Sequence, residues 1–121
     1  DCMEREPLKL DAFFAVAGSN TEFVKQLLAA LSAEVVLFQK AIKDVVSGNE
    51  LESFRKAAHK IQPGLKMLEQ TSLLHTIEHY KQECTKAGET TVDVRDVAHT
   101  LRNKVTILLD DIRVFCNSSN V

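Results

Sequence analysis

The sequence predicts an all-α fold: an antiparallel four-helix bundle (up-down-up-down) with a short N-terminal helix capping one end. The 121 residues include only four Gly and two Pro, so long segments run without residues that break helices. Apolar residues recur at intervals of three and four, the spacing of one helix face, and no stretch shows the convincing alternation of a strand. Short polar stretches separate the helical segments, as in an antiparallel bundle.

The first two predicted helices are joined by a short polar turn. The first runs from about Leu8 to Ala17 and ends at Gly18, a residue type that favours helix C-termini. Polar side chains at 19–21 offer N-caps for a long second helix, and the Ser-Gly-Asn run at 47–49 ends it. The predicted packing residues are Leu10, Phe13 and Phe14 in the first helix, and Phe23, Leu27, Leu31, Phe38, Ile42 and Val45 in the second.

The last three predicted helices repeat this apolar spacing. The third contains Pro63, and a break near Thr71-Ser72 leads to the fourth, which ends at Gly88. The fifth follows Thr90-Thr91, and residues 117–121 look like a frayed tail. The predicted packing residues are Leu51, Phe54, Ala58, Ile61, Leu65 and Leu68, then Leu73, Ile77, Tyr80 and Cys84, then Val94, Val97, Leu101, Val105, Leu108, Ile112 and Phe115.

The composition fits one domain over residues 1–121 and argues against several classes of function. A net charge of -2 argues against nucleic-acid binding, which normally needs a basic face. Three widely spaced cysteines indicate reduced thiols and a cytoplasmic location. No apolar run approaches the roughly 20 residues of a membrane span, so direct membrane contact is not expected. The non-Met start and the linker-like residues 1–7 favour a domain detached from a larger protein.

One histidine, His59, falls on the outward side of the third predicted helix. With successive residues about 100° apart, it lies roughly 130° from the centre of the apolar face. It should therefore face solvent or the shoulder of the bundle. Its neighbours on the helix are Arg55, Gln62 and Lys66 on one side and Lys56 and Pro63 on the other.

Two interpretations of His59 follow from this position. The simpler one is a polar residue in a solvated, charged face. The functional one is an exposed nucleophile that carries an anion, because imidazole is a competent nucleophile when neutral and nearby cations favour the neutral form. The same cations and amides could then hold an attached phosphoryl group.

The run AHKIQP at residues 58–63, inside a helix of an all-α chain of this length, resembles histidine-containing phosphotransfer (HPt) domains. The family motif has Ala-His, a variable residue, an apolar residue, then Lys and Gly. Ala58, His59 and Ile61 match it position for position. The resemblance covers nearly the whole chain, since Leu10 to Leu28, with its Gly-Ser-Asn turn and the run EFVKQLL, is similar to the N-terminal segment of the family.

Three positions depart from the family pattern. Gln62 replaces the Lys three residues after the histidine, Pro63 replaces the Gly that follows, and Glu69 replaces a later Gly. Gln62 can donate a hydrogen bond to a phosphoryl oxygen but carries no charge. We hypothesise that Lys66, one turn further on, supplies the missing charge. Pro63 has no long side chain, so it can leave space for a partner where the family has glycine.

The resemblance implies a phosphorelay intermediate. His59 would accept a phosphoryl group on Nε2 from a receiver-domain aspartate and pass it to another receiver, as in a bacterial hybrid sensor kinase. The partners would be response-regulator receiver domains and a sensor kinase to which the domain can be covalently linked. The domain would need no cofactor or metal of its own, because the receiver would bring Mg²⁺. The implied phosphoryl-stabilising or receiver-docking residues are Gln62, Lys66, Arg55, Lys56 and Pro63.

The chain would be a phosphohistidine carrier without an ATP site, because its four glycines are scattered and form no phosphate-binding loop. Other interpretations remain open. The main one is a phosphorylation-inactive helical bundle for docking or dimerisation, in which His59 is incidental. A sensor-kinase dimerisation domain fits less well, since its histidine is usually followed by an acidic residue and Arg-Thr-Pro-Leu. His75 and His79 spell the H-x-x-E-H zinc-peptidase motif, but a third ligand and a cleft are not evident. Cys84 falls on an apolar stripe and is expected in the core.

Overall fold

Five α-helices make up almost all of residues 6–48, 51–87 and 92–118, the parts of the chain that the computed structural model describes. No strand occurs in these ranges, so the all-α prediction is confirmed. None of the helices within them combines the length and apolar character needed to cross a membrane. The helices are α1 (Asp11–Ala17), α2 (Thr21–Gly48), α3 (Leu51–Met67), α4 (Thr71–Ala87) and α5 (Val92–Asn117). Predictions for residues 1–5, Asn49, Gly88, Thr90, Thr91 and 119–121, and for the Val45 side chain, fall outside the described residues.

Helix α1 begins at Asp11, later than the predicted start near Leu8. Residues 6–10 are not helical because tertiary contacts engage them instead. The Glu6 carboxylate accepts a hydrogen bond from the Ser72 backbone N–H at the start of α4, at 3.0 and 3.1 Å to its two oxygens. Apolar spacing alone could not predict this long-range contact.

The turn between α1 and α2 has the predicted caps. Gly18 adopts a left-handed backbone with φ of 62°, a conformation that glycine reaches without steric cost. The next N–H, that of Ser19, donates to the Phe14 carbonyl at 2.9 Å and closes the end of α1. Asn20 Oδ1 accepts the backbone N–H of Phe23 at 3.0 Å, which is the N-cap interaction that satisfies a free donor of α2.

The apolar sides of the helices meet in a common core. Helix α2 packs on α3 and α5, α4 packs on the same two helices, and α1 packs on α2. Phe54 joins α2 to α4 through ring contacts with Phe38 (5.1 Å between centroids) and Tyr80 (5.0 Å). Most packing residues predicted for α3, α4 and α5 are buried: Phe54, Ala58, Ile61, Leu65, Leu68, Leu73, Ile77, Tyr80, Val94, Leu101, Val105, Leu108 and Ile112. Leu51, Cys84, Val97 and Phe115 are partly buried.

The predicted core face of α2 is partly wrong. Phe23 is 41% exposed, whereas Val24, Leu28 and Val35 are fully buried. Helix α2 carries apolar residues on several sides, so their spacing alone does not determine which side faces inward. The contacts with α3 and α5 decide it.

Gly64 packs closely against Leu31 of α2. A Cβ added to Gly64 would lie 2.7 Å from Leu31 Cδ1 and 2.9 Å from Leu31 Cδ2. Separations this short do not occur between real side chains, so any larger residue would force Leu31 to move. Gly64 thus fixes the α2-facing side of α3 and leaves His59 on a different side.

Candidate functional site

The His59 side chain is exposed on α3, as its position on the helix predicts. Its neighbours Ala58 and Ile61 are 4% and 0% exposed and pack in the core. Hydrogen bonds and ion pairs found within the described ranges do not involve the imidazole of His59. The histidine therefore projects from a firmly anchored helix, and its ring is not committed to an intramolecular partner.

Pro63 lies within α3, which continues from Leu51 to Met67. Proline has no backbone N–H, so it cannot donate the helical hydrogen bond to the carbonyl of His59, four residues earlier. Both residues are exposed, so water can satisfy this carbonyl. The helix-breaking residue thus lies on the solvent side of α3, where its cost to packing is smallest.

Three of the predicted site residues face α4. Arg55 Nη2 donates a hydrogen bond to Thr85 Oγ1 at 2.9 Å. Gln62 and Lys66 line a hollow together with side chains of α4. Arg55 lines an adjoining hollow that shares two of those α4 side chains, Glu78 and Lys81. We call this continuous surface the α3–α4 groove; it is lined by Arg55, Gln62 and Lys66 of α3 and by His75, Glu78, Lys81 and Thr85 of α4.

The structure does not bring Lys56 and Pro63 into this groove. Both are exposed, and their spacing puts them further around α3, on the side of His59 away from α4. The predicted set therefore divides into two parts around His59. Arg55, Gln62 and Lys66 border the groove, and Lys56 and Pro63 lie on the open side.

The α3–α4 groove carries more positive than negative charge. Arg55, Lys66 and Lys81 contribute three cations, and Glu78 is the one carboxylate among the lining residues. Lys81 Nζ lies 3.7 Å from Glu78 Oε1, a separation at which an ion pair near the surface is weak. The groove can therefore accept an anion that approaches from the His59 side.

Lys81 is the cation among the groove residues that the sequence did not single out. Its side chain is 29% exposed and borders both parts of the groove. The sequence does show that Lys81 directly follows Tyr80, a predicted core residue of the fourth helix, and so lies near the edge of the core. Using this observation requires knowing which flank of α4 meets α3, and helix periodicity does not specify that.

The H-x-x-E-H histidines, His75 and His79, are both exposed on α4. His79 Nε2 lies 3.6 Å from Glu83 Oε2. Among the described residues, no three His, Cys, Asp or Glu side chains come together in a way that could hold a metal ion. These contacts provide no third ligand for the zinc-peptidase interpretation.

Cys84 lies partly buried beside the core. Burial raises the pKa of its thiol, so it stays protonated and weakly nucleophilic at neutral pH. Burial also raises the pKa of the Tyr80 hydroxyl, with a smaller contribution from Cys84. The hydroxyl nevertheless has no partner that meets strict hydrogen-bond geometry within the described residues. We therefore regard Cys84 as a neighbour of this hydroxyl and not as its acceptor.

Comparison of the chain with protein-family models, with curated proteins and with solved structures finds no match.

Proposed function

We propose that the chain is a phosphohistidine carrier of the HPt type, which accepts a phosphoryl group on His59 and passes it to a receiver domain. One observation carries the proposal: His59 is exposed and unpaired within the described residues, while Ala58 and Ile61 beside it are buried. A carrier needs this combination, because phosphoryl transfer depends on accurate positioning of the nucleophile and on access for the donor.

The helix contacts support an antiparallel four-helix bundle as the scaffold. Among the four longer helices, each packs on two of the other three, in the cyclic order α2, α3, α4, α5, and α1 packs on α2. Only residues 68–70 separate α3 from α4, and such a short connection favours antiparallel neighbours. In this arrangement α1 caps one end of an up-down-up-down bundle, and His59 lies midway along an outer helix face.

In the proposed reaction, the Nε2 lone pair of neutral His59 attacks the phosphorus of an aspartyl phosphate. The Nε2–P bond forms as the bond from phosphorus to the carboxylate oxygen breaks, and the aspartate leaves as a carboxylate. Transfer to the next receiver reverses these steps with another aspartate as the nucleophile. Little acid–base chemistry is required, since positioning and charge neutralisation supply most of the catalysis.

The neighbouring side chains have distinct roles in this proposal. Gln62 donates a hydrogen bond to a phosphoryl oxygen, and Lys66 contributes positive charge. Arg55 gives one hydrogen bond to Thr85 and keeps other donors of its guanidinium for an anion. On the open side, Lys56 and Pro63 are positioned to contact a receiver, whose Mg²⁺ would remain on the receiver.

Transfer from phosphorylated receiver domains tests the proposal. We expect a panel of such receivers to label the wild-type chain with an acid-labile, base-stable phosphoryl group, and His59→Gln to abolish the label. His99→Gln is the matched control, because His99 is also exposed but lies on α5. A wild-type chain that no receiver labels would overturn the proposal, as would a His59→Gln variant that is labelled normally.

A second candidate, a bundle that docks or dimerises without phosphorylation, is favoured by the outer face of α2. Val36 and Leu37 are 50% and 59% exposed, and the nearby Ala29, Ala30 and Ala33 are exposed as well. Exposed apolar surface of this kind is often used in protein contacts. Sedimentation equilibrium distinguishes the two functions. A stable dimer that Leu37→Glu dissociates, together with an unlabelled His59, would favour this candidate.

A further inference from the structure

The residue three positions after His59 is Gln62, which carries no charge. A lysine on a different helix can supply the positive charge instead. We propose that Lys81 of α4 reaches across the α3–α4 groove and holds the phosphoryl group on His59. The inference rests on the proposed function and adds a phosphoryl-positioning residue that α3 itself does not provide.

The register of the two helices puts Lys81 level with His59. Arg55 meets Thr85 near the beginning of α3 and the end of α4, whereas Lys66 shares its hollow with Leu74 and His75 near the beginning of α4. Early residues of α3 therefore face late residues of α4. Advancing four residues from Arg55 reaches His59, and going back four residues from Thr85 reaches Lys81.

The residues that line the two parts of the groove also place Lys81 level with His59. Lys81 lines the part that contains Arg55, which precedes His59 by about one turn. It also lines the part that contains Gln62 and Lys66, which follow His59. Two residues, Glu78 and Lys81, border both parts and so lie at the level between them, which is the level of His59. Lys81 is the one of the two that carries a positive charge.

The core holds Lys81 in this register. The preceding residue, Tyr80, is fully buried, and its ring packs edge-on against Phe54 of α3 at 5.0 Å between centroids. Sliding of α4 along α3 would break this contact. The Lys81 backbone is therefore fixed relative to α3, while its side chain has four rotatable carbons with which to reach an anion.

Lys81 is better placed than Lys66 to neutralise a phosphoryl group. Lys66 is seven residues from His59, about 10 Å along the axis at 1.5 Å per residue, whereas Lys81 is level with it. In the unphosphorylated chain Lys81 Nζ lies 3.7 Å from Glu78 Oε1. A phosphoryl group carries more charge and forms shorter charge-assisted hydrogen bonds. Lys81 should therefore exchange Glu78 for the phosphoryl oxygens when His59 is phosphorylated.

Phosphoramidate, a small donor that phosphorylates histidine without a protein partner, provides the test. The labelling rate of His59 is measured by site-resolved mass spectrometry in the wild-type chain and in Lys81→Met, which keeps the length of the stem but removes the charge. We expect the variant to react about tenfold more slowly, the factor that one charge-assisted hydrogen bond of ordinary strength provides. Lys81→Arg should restore most of the rate.

Two further measurements separate a charge effect from a structural one. Lys60→Met is the matched control, because Lys60 is exposed and follows His59 directly but lies about 100° around α3; it should retain the wild-type rate. The rate in Lys81→Met should also depend less on salt than the wild-type rate, since screening weakens only interactions between charges. A purely structural role would not change this dependence.

The possible outcomes distinguish the two proposals. If His59 of the wild-type chain accepts no phosphoryl group from phosphoramidate or from any receiver, the proposed function fails and the inference fails with it. If His59 is labelled and Lys81→Met matches the wild-type and Lys60→Met rates, only the inference is overturned. A slow Lys81→Met that Lys81→Arg fails to restore would also overturn it.

Discussion

The two sides of helix α3 have different roles. The inward side is buried in the core, whereas the outward side carries exposed polar residues that find no partner within the described ranges. Because the two sides alternate along one helix, substitutions can separate stability from chemistry residue by residue. The inward residues are Phe54, Ala58, Ile61 and Leu65, and the outward ones include Lys56, His59, Lys60 and Pro63.

Polar residues elsewhere in the chain do form hydrogen bonds within the chain. At the turn between α3 and α4, Gln70 is buried, and its Nε2 donates to the Pro7 carbonyl at 3.4 Å. Lys104 Nζ donates to Ser72 Oγ at 2.7 Å. Side chains that serve the fold thus have intramolecular partners here. Lys56, His59 and Lys60 have no such partner within the described residues, which suits this part of α3 for contacts with another molecule.

A pair of substitutions on opposite sides of α3 should show the largest difference in stability between the two sides. Phe54→Ala removes a fully buried ring that contacts both Phe38 and Tyr80. It should lower the free energy of unfolding by about 3–5 kcal/mol, as expected for a large buried aromatic residue. His59→Gln should change it by less than about 0.5 kcal/mol, as is usual at exposed positions. Urea denaturation measures both.

Comparable losses in the two variants would contradict the division of α3. A large loss in His59→Gln would show that the imidazole has a structural partner. A small loss in Phe54→Ala would show that the core collapses around the missing ring.

The sequence predicts α3 well because its apolar residues lie on one side only. Every fully buried residue from Phe54 to Leu68 belongs to the predicted set, and the exposure of His59 follows from the same spacing. The prediction fails at Phe23 in α2, where apolar residues occur on several sides. It fails at Leu8 because residues 6–10 make contacts with residues more than sixty positions away.

The sequence predicts only the part of the candidate site that lies on α3. The spacing identifies Arg55, Gln62 and Lys66 as neighbours of His59, since helix periodicity fixes positions within α3. It does not identify Lys81, which the packing of α4 on α3 places in the α3–α4 groove. The contact of Phe54 with Tyr80 sets that register, and periodicity contains no information about it.

Substitution of Pro63 tests whether the outward side of α3 contributes to the stability of the fold. Pro63→Ala restores a backbone donor for the carbonyl of His59 and removes a residue that is about 3 kcal/mol less favourable than Ala within a helix. Proline recovers up to about 1 kcal/mol by restricting the unfolded chain. We therefore expect the variant to be more stable by roughly 1–3 kcal/mol in urea denaturation.

Lys60→Ala is the control for Pro63→Ala, because Lys60 is exposed on the same helix but leaves the backbone donors unchanged. It should alter stability by less than about 0.5 kcal/mol. A Pro63→Ala variant less stable than the wild-type chain would indicate that packing around the proline ring contributes to the fold. The outward side would then share the structural role of the inward side.

The Tyr80 hydroxyl tests how dry the core next to α3 is. It is a buried polar atom without a partner among the described residues, and burial raises its pKa above the ordinary value. Above about pH 10 the tyrosine of the unfolded chain ionises, while the folded chain keeps its proton. The unfolded state then binds fewer protons than the folded state, so the stability contributed by Tyr80 is complete below that pH and is lost as the pH rises.

Tyr80→Phe should isolate this contribution. At pH 7 the substitution should change the free energy of unfolding by no more than about 1 kcal/mol, because removing an unpaired hydroxyl while keeping its shape is nearly neutral. From pH 10 to 11 the variant should gain on the wild-type chain by about 1 kcal/mol, close to the 1.4 kcal/mol of one pKa unit. Lysines also titrate in this range, but they are common to both chains and cancel in the difference. A difference that stays constant from pH 7 to 11 would mean that the hydroxyl reaches water or a partner in the folded chain, and that the core around Tyr80 is less dry than its burial indicates.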